Sequence, residues 1–231
     1  VIDQGVKFVT TSAGSPERYT DELKAGGLTV FHVVPSLSAA KKAVSCGVDG
    51  LIVEGGEGGG FKNPREVASM VLLPLVRAEV DVPIIAAGGF VDGSSMAAAF
   101  ALGAEGVQMG TRMVSAAESP VHQNWKEAIV EARETDTVFL NRFNSPALRA
   151  LRTEKTTRLE KDIETNAMTE FGTSKDLYFG GDMEASIALT GQVCGRIDAV
   201  RPVADILEEV RSEFFEVVGG MANQYLGELS S

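Results

Sequence analysis

Three stretches carry residue types and spacings that could do chemistry. Residues 54–60 read EGGEGGG and run into Phe61 and Lys62, residues 86–93 read AAGGFVDG, and residues 108–112 read QMGTR. Each closes an apolar run of strand character, so each marks a strand end that opens into a turn or helix. Glycine there costs conformational entropy, and the usual gain is backbone that a ligand can approach closely. Adjacent glycine amides followed by a helix N-terminus make a cradle for an anion, and Thr111 adds a hydroxyl. Gly88, Gly89, Gly110 and Thr111 therefore read as a phosphate site, against the plainer reading that the glycines only make tight turns. The plainer reading of 54–60 is a flexible linker, which does not usually follow a buried strand.

The remaining candidates are single residues. Glu57 reads as a loop carboxylate that caps a nearby amide. Lys62 could donate a proton to an enolate, against the reading of a solvated lysine ahead of a helix. His32, near the end of the run LTVFHVV (28–34), is either a site residue or a satisfied core histidine, and His122 reads as exposed at a helix start. The methionines are scattered and read as core filler. No Ser/His/Asp order, zinc spacing or paired-carboxylate arrangement stands out.

The elements that must position these residues follow from periodicity. Five runs rich in β-formers, at 7–12, 28–34, 50–55, 83–89 and 105–111, are continuously apolar. That pattern predicts parallel strands buried on both faces. Helices are predicted between them. SPERYTDELKAGG starts at Ser15-Pro16 and stops at Gly26-Gly27, and SLSAAKKAVSCG is capped by Ser36 or Ser38. NPREVASMVLLPLVRAEV places Asn63 at the N-cap with Glu66 at N3, and DGSSMAAAFALGA is capped by Ser94. Strand starts recur about every 21–22 residues, apart from one longer interval over the glycine loop, which is a run of βα units with right-handed crossovers. Five units are too few to close an eight-stranded barrel. An open dinucleotide-binding sheet would need a G-x-G-x-x-G at its first helix, and there is none.

Beyond residue 111 the pattern changes. Residues 119–178 predict helices, capped at Ser119-Pro120 and Ser145-Pro146, with few strand signals. Residues 201–218 predict a one-faced helix that packs back on the βα units, and the tail 219–231 is expected to fray. The division is thus 1–118 with 201–231 as the βα portion and its closing helix, and 119–200 as a helical cap domain.

Composition bounds the function classes. The chain has 231 residues, is 44% hydrophobic and carries a net charge of −11 with a pI near 4.7. It can bury a core, and its acidity argues against nucleic acid and anionic membrane surfaces. Cys46 and Cys194 stand alone, without metal-type spacing, so a reducing, cytoplasmic location is expected. No apolar stretch is long enough to span a bilayer. The start VIDQGVKFV reads as a helix end running into a strand, as though a segment precedes it.

PIIAAGGFVDGSSMAAAFALGAEGVQMGTRMVSAAESP resembles the phosphate end of the nitronate monooxygenase family, flavin-binding barrels once called 2-nitropropane dioxygenases. TTSAGSPERYTDELKAGGLTVFHVVPS and GVDGLIVEGGEGGG are similar to preceding parts of that barrel. TDTVFLNRFNSPALRA and LTGQVCGRIDAVRPVADILEEV are similar to its cap and closing helix. The resemblance covers nearly the whole chain. It implies an α/β fold, a TIM-type (β/α)8 barrel of which about five βα units are present here, with a helical cap domain. The first three strands and a Gly-Met loop would lie outside this chain. It implies FMN as cofactor, with its phosphate on Gly88, Gly89, Gly110 and Thr111. Ala87, Gln108 and Met109 would lie along the ribityl chain or ring, and Glu54, Gly55, Gly59 and Gly60 would border the isoalloxazine. A histidine occurs in part of the family near His32, which would place His32 at the flavin edge.

The chain departs from the family after the glycine loop. A histidine is typical there as the base of nitronate oxidation; here it is Phe61, which cannot transfer a proton. The implied function is oxidation of nitronates or related carbon acids with oxygen. The alternative is NAD(P)H-dependent reduction of an enoyl thioester, quinone or unsaturated carbonyl, which Phe61 favours. A flavin-free phosphate-binding barrel similar to inosine-monophosphate dehydrogenases would need a nucleophilic loop cysteine, and Cys46 is predicted on a helix. A non-catalytic subunit whose barrel is completed by another chain is the third class, because five strands leave open edges. Expected partners are a small-molecule substrate and either a second copy or the N-terminal barrel segment.

Overall fold

The structure is a computed structural model that describes residues 1–227. Strand β1 (Phe8–Thr11), helix α1 (Thr20–Ala25), β2 (Thr29–Val34), α2 (Leu37–Ser45) and β3 (Gly50–Glu54) come first. The glycine loop leads into β4 (Gly60–Lys62), α3 (Ser69–Arg77), β5 (Ile84–Ala87), α4 (Gly93–Ala101) and β6 (Gly106–Gln108). Next come α5 (Thr111–Val114), α6 (Gln123–Glu131), β7 (Thr137–Leu140), β8 (Ala147–Leu151), α7 (Glu154–Lys161), α8 (Ser174–Tyr178) and the closing helix α9 (Val203–Leu226).

The five predicted runs form one parallel sheet in the order β1-β2-β3-β5-β6. Its residues alternate between two apolar environments, which is why the runs lack polar alternation. Val30, Val34, Leu51, Val53, Ile84 and Ala86 pack with the helix residues Leu23, Ala40, Leu72 and Val76. Phe31, Ile52 and Ala87 line the opposite, inner face. Burial of each Leu, Ile or Val stabilises by about 1.5–3 kcal/mol. Phe31 reaches across β3, where a Cβ at Gly50 would lie 2.2 Å from its ring.

Helix starts differ from expectation in two places. Asp92, not Ser94, caps α4, accepting from the Ser95 amide while the Ser95 hydroxyl accepts from the Asp92 amide. The third helix begins at Ser69 rather than after Asn63, whose Oδ1 only closes a turn by accepting from the Arg65 amide. Ser36 caps α2 as predicted.

Residues 119–200 are less helical than expected. They hold α6, α7 and α8, but also the β7–β8 hairpin, which joins β4 in an antiparallel sheet ordered β4-β8-β7. The Ser145-Pro146 peptide, read as a helix cap, is a cis peptide in that hairpin's turn. The β7 and β8 residues Val138, Leu140, Leu148 and Ala150 pack with Leu159 and Ile187. Trp125, Ile129 and Leu177 center a second cluster.

Helix α9 docks on the barrel side through Ile206 and Val210, and through Phe214 against Phe100 at 5.0 Å. It continues through Gly219 and Gly220, so the expected fraying tail is helical to Leu226. The end of that tail lies outside the described residues. Among the described residues, no helix is long and apolar enough to cross a membrane and no His/Cys/Asp/Glu group could hold a metal ion.

Candidate active site

Strand register assembles the site. Glu54 pairs with Ala87 and Ala87 with Gln108, so the last residues of β3, β5 and β6 form one lateral row. All three lie on the inner face, and all three line a cleft of about 150 Å³. Gly59, Gly60, Gly88, Gly89, Gly110 and Thr111 line the same cleft. A larger, open hollow of about 830 Å³ lies on the cap around Leu151, Arg158 and Met183. Its lining includes no residue of the parallel sheet or of the glycine loops, so size does not select it.

The glycine loop is bare for a reason the sequence reading did not give. A Cβ at Gly55 would lie 2.1 Å from Ser69 Oγ, and one at Gly56 2.9 Å from Glu66. At Gly58 it would meet Lys62 Nζ at 2.7 Å and Glu54 Oε1 at 2.8 Å; at Gly59 it would meet the Thr190–Gly191 backbone at 2.6 Å. Four glycines are thus demanded by protein packed over the loop. Gly60, with φ +94°, has nothing within 4 Å, and neither does Gly110. Gly88 (φ +81°) presses on the backbone of Gly55 and Gly58, while Gly89 (φ +92°) has only Glu57 at 3.5 Å or beyond. The open backbone of the cleft is therefore at 60, 89 and 110.

Glu57 caps α3 as read: its oxygens accept from the Ser69 amide at 2.9 and 3.1 Å and from Ser69 Oγ at 3.0 Å. Ser69 Oγ also lies 2.6 Å from the Gly88 carbonyl, tying the two glycine loops together. Thr111 Oγ1 accepts from the Gly191 amide at 2.9 Å, which leaves its hydroxyl proton to give.

Four expectations change. Gly55 is buried and does not line the cleft; its amide donates to the Ala87 carbonyl at 3.0 Å. Met109 turns away and packs with Ile206 and Val210 of α9. His32 shares its face of β2 with Val30 and Val34, which pack on the helices, so it points away from the inner face. Its Nδ1 is 2.7 Å from Thr11 Oγ1, and burial lowers its pKa below 6.5, against a weaker opposing contact with the Gly14 backbone.

The fourth concerns Phe61 and Lys62, which lie on opposite faces of β4. Phe61 is 45% exposed and packs beside Phe171, its centroid 6.1 Å away, on the cap side. Lys62 is not solvated: its side chain is 3% exposed, with Nζ 2.8 Å from Glu54 Oε1. Burial pushes the lysine below its ordinary pKa; Glu54 and Glu57 oppose this shift and Arg149 adds to it.

The supports of the loop carry no signal in its local sequence. Arg149 of β8 donates to the Gly56 carbonyl at 2.7 Å and to Glu66 Oε2 at 2.6 Å, clamping the loop to the second sheet. Leu189, Gly191 and Val193 close the cleft from the cap. The glycine of TGQ (190–192) was the available signal, since a Cβ there would meet the Glu57 carbonyl at 2.8 Å.

The family model for nitronate monooxygenase matches residues 1–213. The chain belongs to the nitronate monooxygenase family. Among curated relatives, it is 38% identical over 160 residues to the (3aS,4S,5R,7aS)-5-hydroxy-7a-methyl-1-oxo-octahydro-1H-indene-4-carboxyl-CoA dehydrogenase of Rhodococcus jostii, covering 69% of this chain and 45% of that protein. A probable nitronate monooxygenase of Staphylococcus saprophyticus is 35% identical, covering 67% and 46%. Among solved structures, FabK from Thermotoga maritima superposes with TM-score 0.91 at 40% identity, covering 96% of this chain and 72% of that one. A nitroalkane oxidase from Streptomyces ansochromogenes shares the fold, with TM-score 0.78 at 22% identity, covering 95% and 67%. The chain spans about half the length of the curated relatives it matches. Within this nitronate monooxygenase family the five-stranded sheet is part of a TIM-type (β/α) barrel.

Proposed function

We propose that this chain forms the cofactor-holding part of an FMN-dependent oxidoreductase acting next to an acyl-thioester carbonyl. The observation that carries the reading is the cleft itself. The Glu54–Ala87–Gln108 row stands beside backbone left open at Gly60, Gly89 and Gly110. Ligand pockets usually enclose about 300–1,000 Å³, so a 150 Å³ cleft fits the phosphate end of FMN rather than the whole molecule. Gly88, Gly89, Gly110 and Thr111 would hold that phosphate, and Gly59, Gly60, Ala87 and Gln108 would line the path toward the ring. Bound FMN supplies the capacity to accept or give a hydride. The chain's own share is to orient the substrate, exclude water and hold a proton at Glu54.

Two observations support a thioester over a nitronate. Phe61 stands where the resemblance expects the nitronate base, and its ring lies on the cap face of β4. Relatives 38–39% identical are named carboxyl-CoA dehydrogenases. NAD(P)H is the electron donor in the reducing direction. Nitronate oxidation is the second reading, favoured by relatives named probable nitronate monooxygenase.

Anaerobic mixing of the FMN-loaded protein with NADPH, then with an enoyl-CoA or with a nitroalkane, separates the two. Loss of the flavin band with NADPH and its return with the enoyl thioester is expected; bleaching by the nitroalkane alone would sink the thioester reading.

A further inference from the structure

Among the described residues, Lys62 Nζ is the one buried side-chain nitrogen or oxygen without a hydrogen bond. It lies at ion-pair distance from Glu54 Oε1, 2.8 Å, but out of line for a hydrogen bond. Other buried cations are better satisfied: Arg149 has three side-chain hydrogen bonds, and Lys126 donates to the Ala117 carbonyl at 2.9 Å. A buried ammonium without full pairing costs stability, and an apolar side chain of similar length would fill its volume without that cost. The ion pair with Glu54 is therefore the one close contact that compensates the buried charge. The Glu54 side chain is 23% exposed, lines the cleft and has one oxygen beside the lysine.

We propose that Lys62 is a positioning residue that holds Glu54 Oε1 beneath the glycine loop and leaves the second carboxylate oxygen to the cleft, so that the Glu54–Lys62 pair handles the substrate proton. This deepens the oxidoreductase reading and rests on it. In the oxidising direction the carbon–hydrogen bond α to the carbonyl breaks, its electron pair stays on the substrate as an enolate, and the proton bonds to Glu54. As the enolate pair forms the new carbon–carbon double bond, the neighbouring carbon would release its hydride, which bound FMN would be able to accept. Gly58 keeps the space around the pair clear. The charges facing Lys62 are Glu54 from β3, Glu57 from the loop and Arg149 from β8.

The test compares Lys62→Met, Lys62→Arg and Glu54→Gln in the FMN-loaded protein. Lys62→Met is expected to melt at the wild-type temperature or above while turnover of an acyl thioester falls on the order of 10²-fold, the usual scale of acid–base help. Lys62→Arg is expected to recover part of that rate. Glu54→Gln, which strands the ammonium, is expected to melt lower. A Lys62→Met protein that melts lower and loses activity in proportion, or one that keeps its turnover, overturns the proposal. A readout independent of flavin is the titration of the Lys62 ε-carbon by NMR in the cofactor-free protein. Its midpoint should lie below the ordinary lysine range and fall further in Glu54→Gln. An unmoved midpoint sinks the pair, whereas a shift in a protein that binds no FMN upholds the pair and removes only the oxidoreductase reading.

Discussion

Phe61 and Lys62 are adjacent in sequence and opposite in consequence. Strand alternation sends the phenyl ring to the cap face and the ammonium to the barrel face, a parity that no residue type announces. Restoring a histidine by Phe61→His therefore should not raise nitronate oxidation; a clear gain in the nitronate assay would show that the ring reaches the cleft. Gly88 is constrained more tightly. Its φ of +81° and a would-be Cβ contact of 2.7 Å to the Gly55 carbonyl leave no room for alanine. Gly88→Ala should cost about 1–3 kcal/mol, the scale of backbone strain, read as a lower urea midpoint together with weaker FMN binding. His32 is held neutral in the folded chain, its pKa lowered from 6.5 by burial. The unfolded chain thus binds the proton first as pH falls below about 6.5, and stability declines from there until the lower folded value is passed. The urea midpoint should drop between pH 7.5 and 5.5, and His32→Asn should flatten that drop; an unchanged slope would assign the acid sensitivity elsewhere.

At the scale of elements, the parallel strands were legible because both their faces are buried, which makes the runs continuously apolar. The start of α3 was not. Asn63, Pro64 and Glu66 compose a local capping signal, yet Glu66 is taken by Arg149, and the helix begins at Ser69 under the carboxylate of Glu57. A partner brought by the fold from twelve residues upstream outcompeted the local one. Glu57→Ala should therefore destabilise by about 0.5–2 kcal/mol, as for a lost N-cap, whereas Asn63→Ala should be nearly silent; equal effects in urea melts would restore the local cap. The β7–β8 hairpin escaped notice for a related reason. TVFL and ALRAL are short, and the charged residues around them dominate the local composition.

For the whole molecule, the candidate site was legible wherever glycine or Thr sits at the end of a parallel strand, because topology places all such ends on one face. Gly88, Gly89, Gly110 and Thr111 do share the cleft, with Glu54, Ala87 and Gln108 in register beside them. The contribution of the cap was not legible. Gly191 closes over Gly59 from more than a hundred residues downstream, and only the fold brings the two together. That contact also changes the meaning of the glycine loop, whose bareness serves protein packing at four positions and an open cleft at one. The proposed function requires that this cleft hold a flavin that works on thioesters. The direct measurement is anaerobic stopped-flow absorbance of the FMN-loaded protein, reduced and then mixed with an enoyl-CoA. Rapid return of the oxidised flavin band is expected. No FMN uptake, or a reduced band that the thioester leaves untouched while a nitroalkane is oxidised, would contradict it.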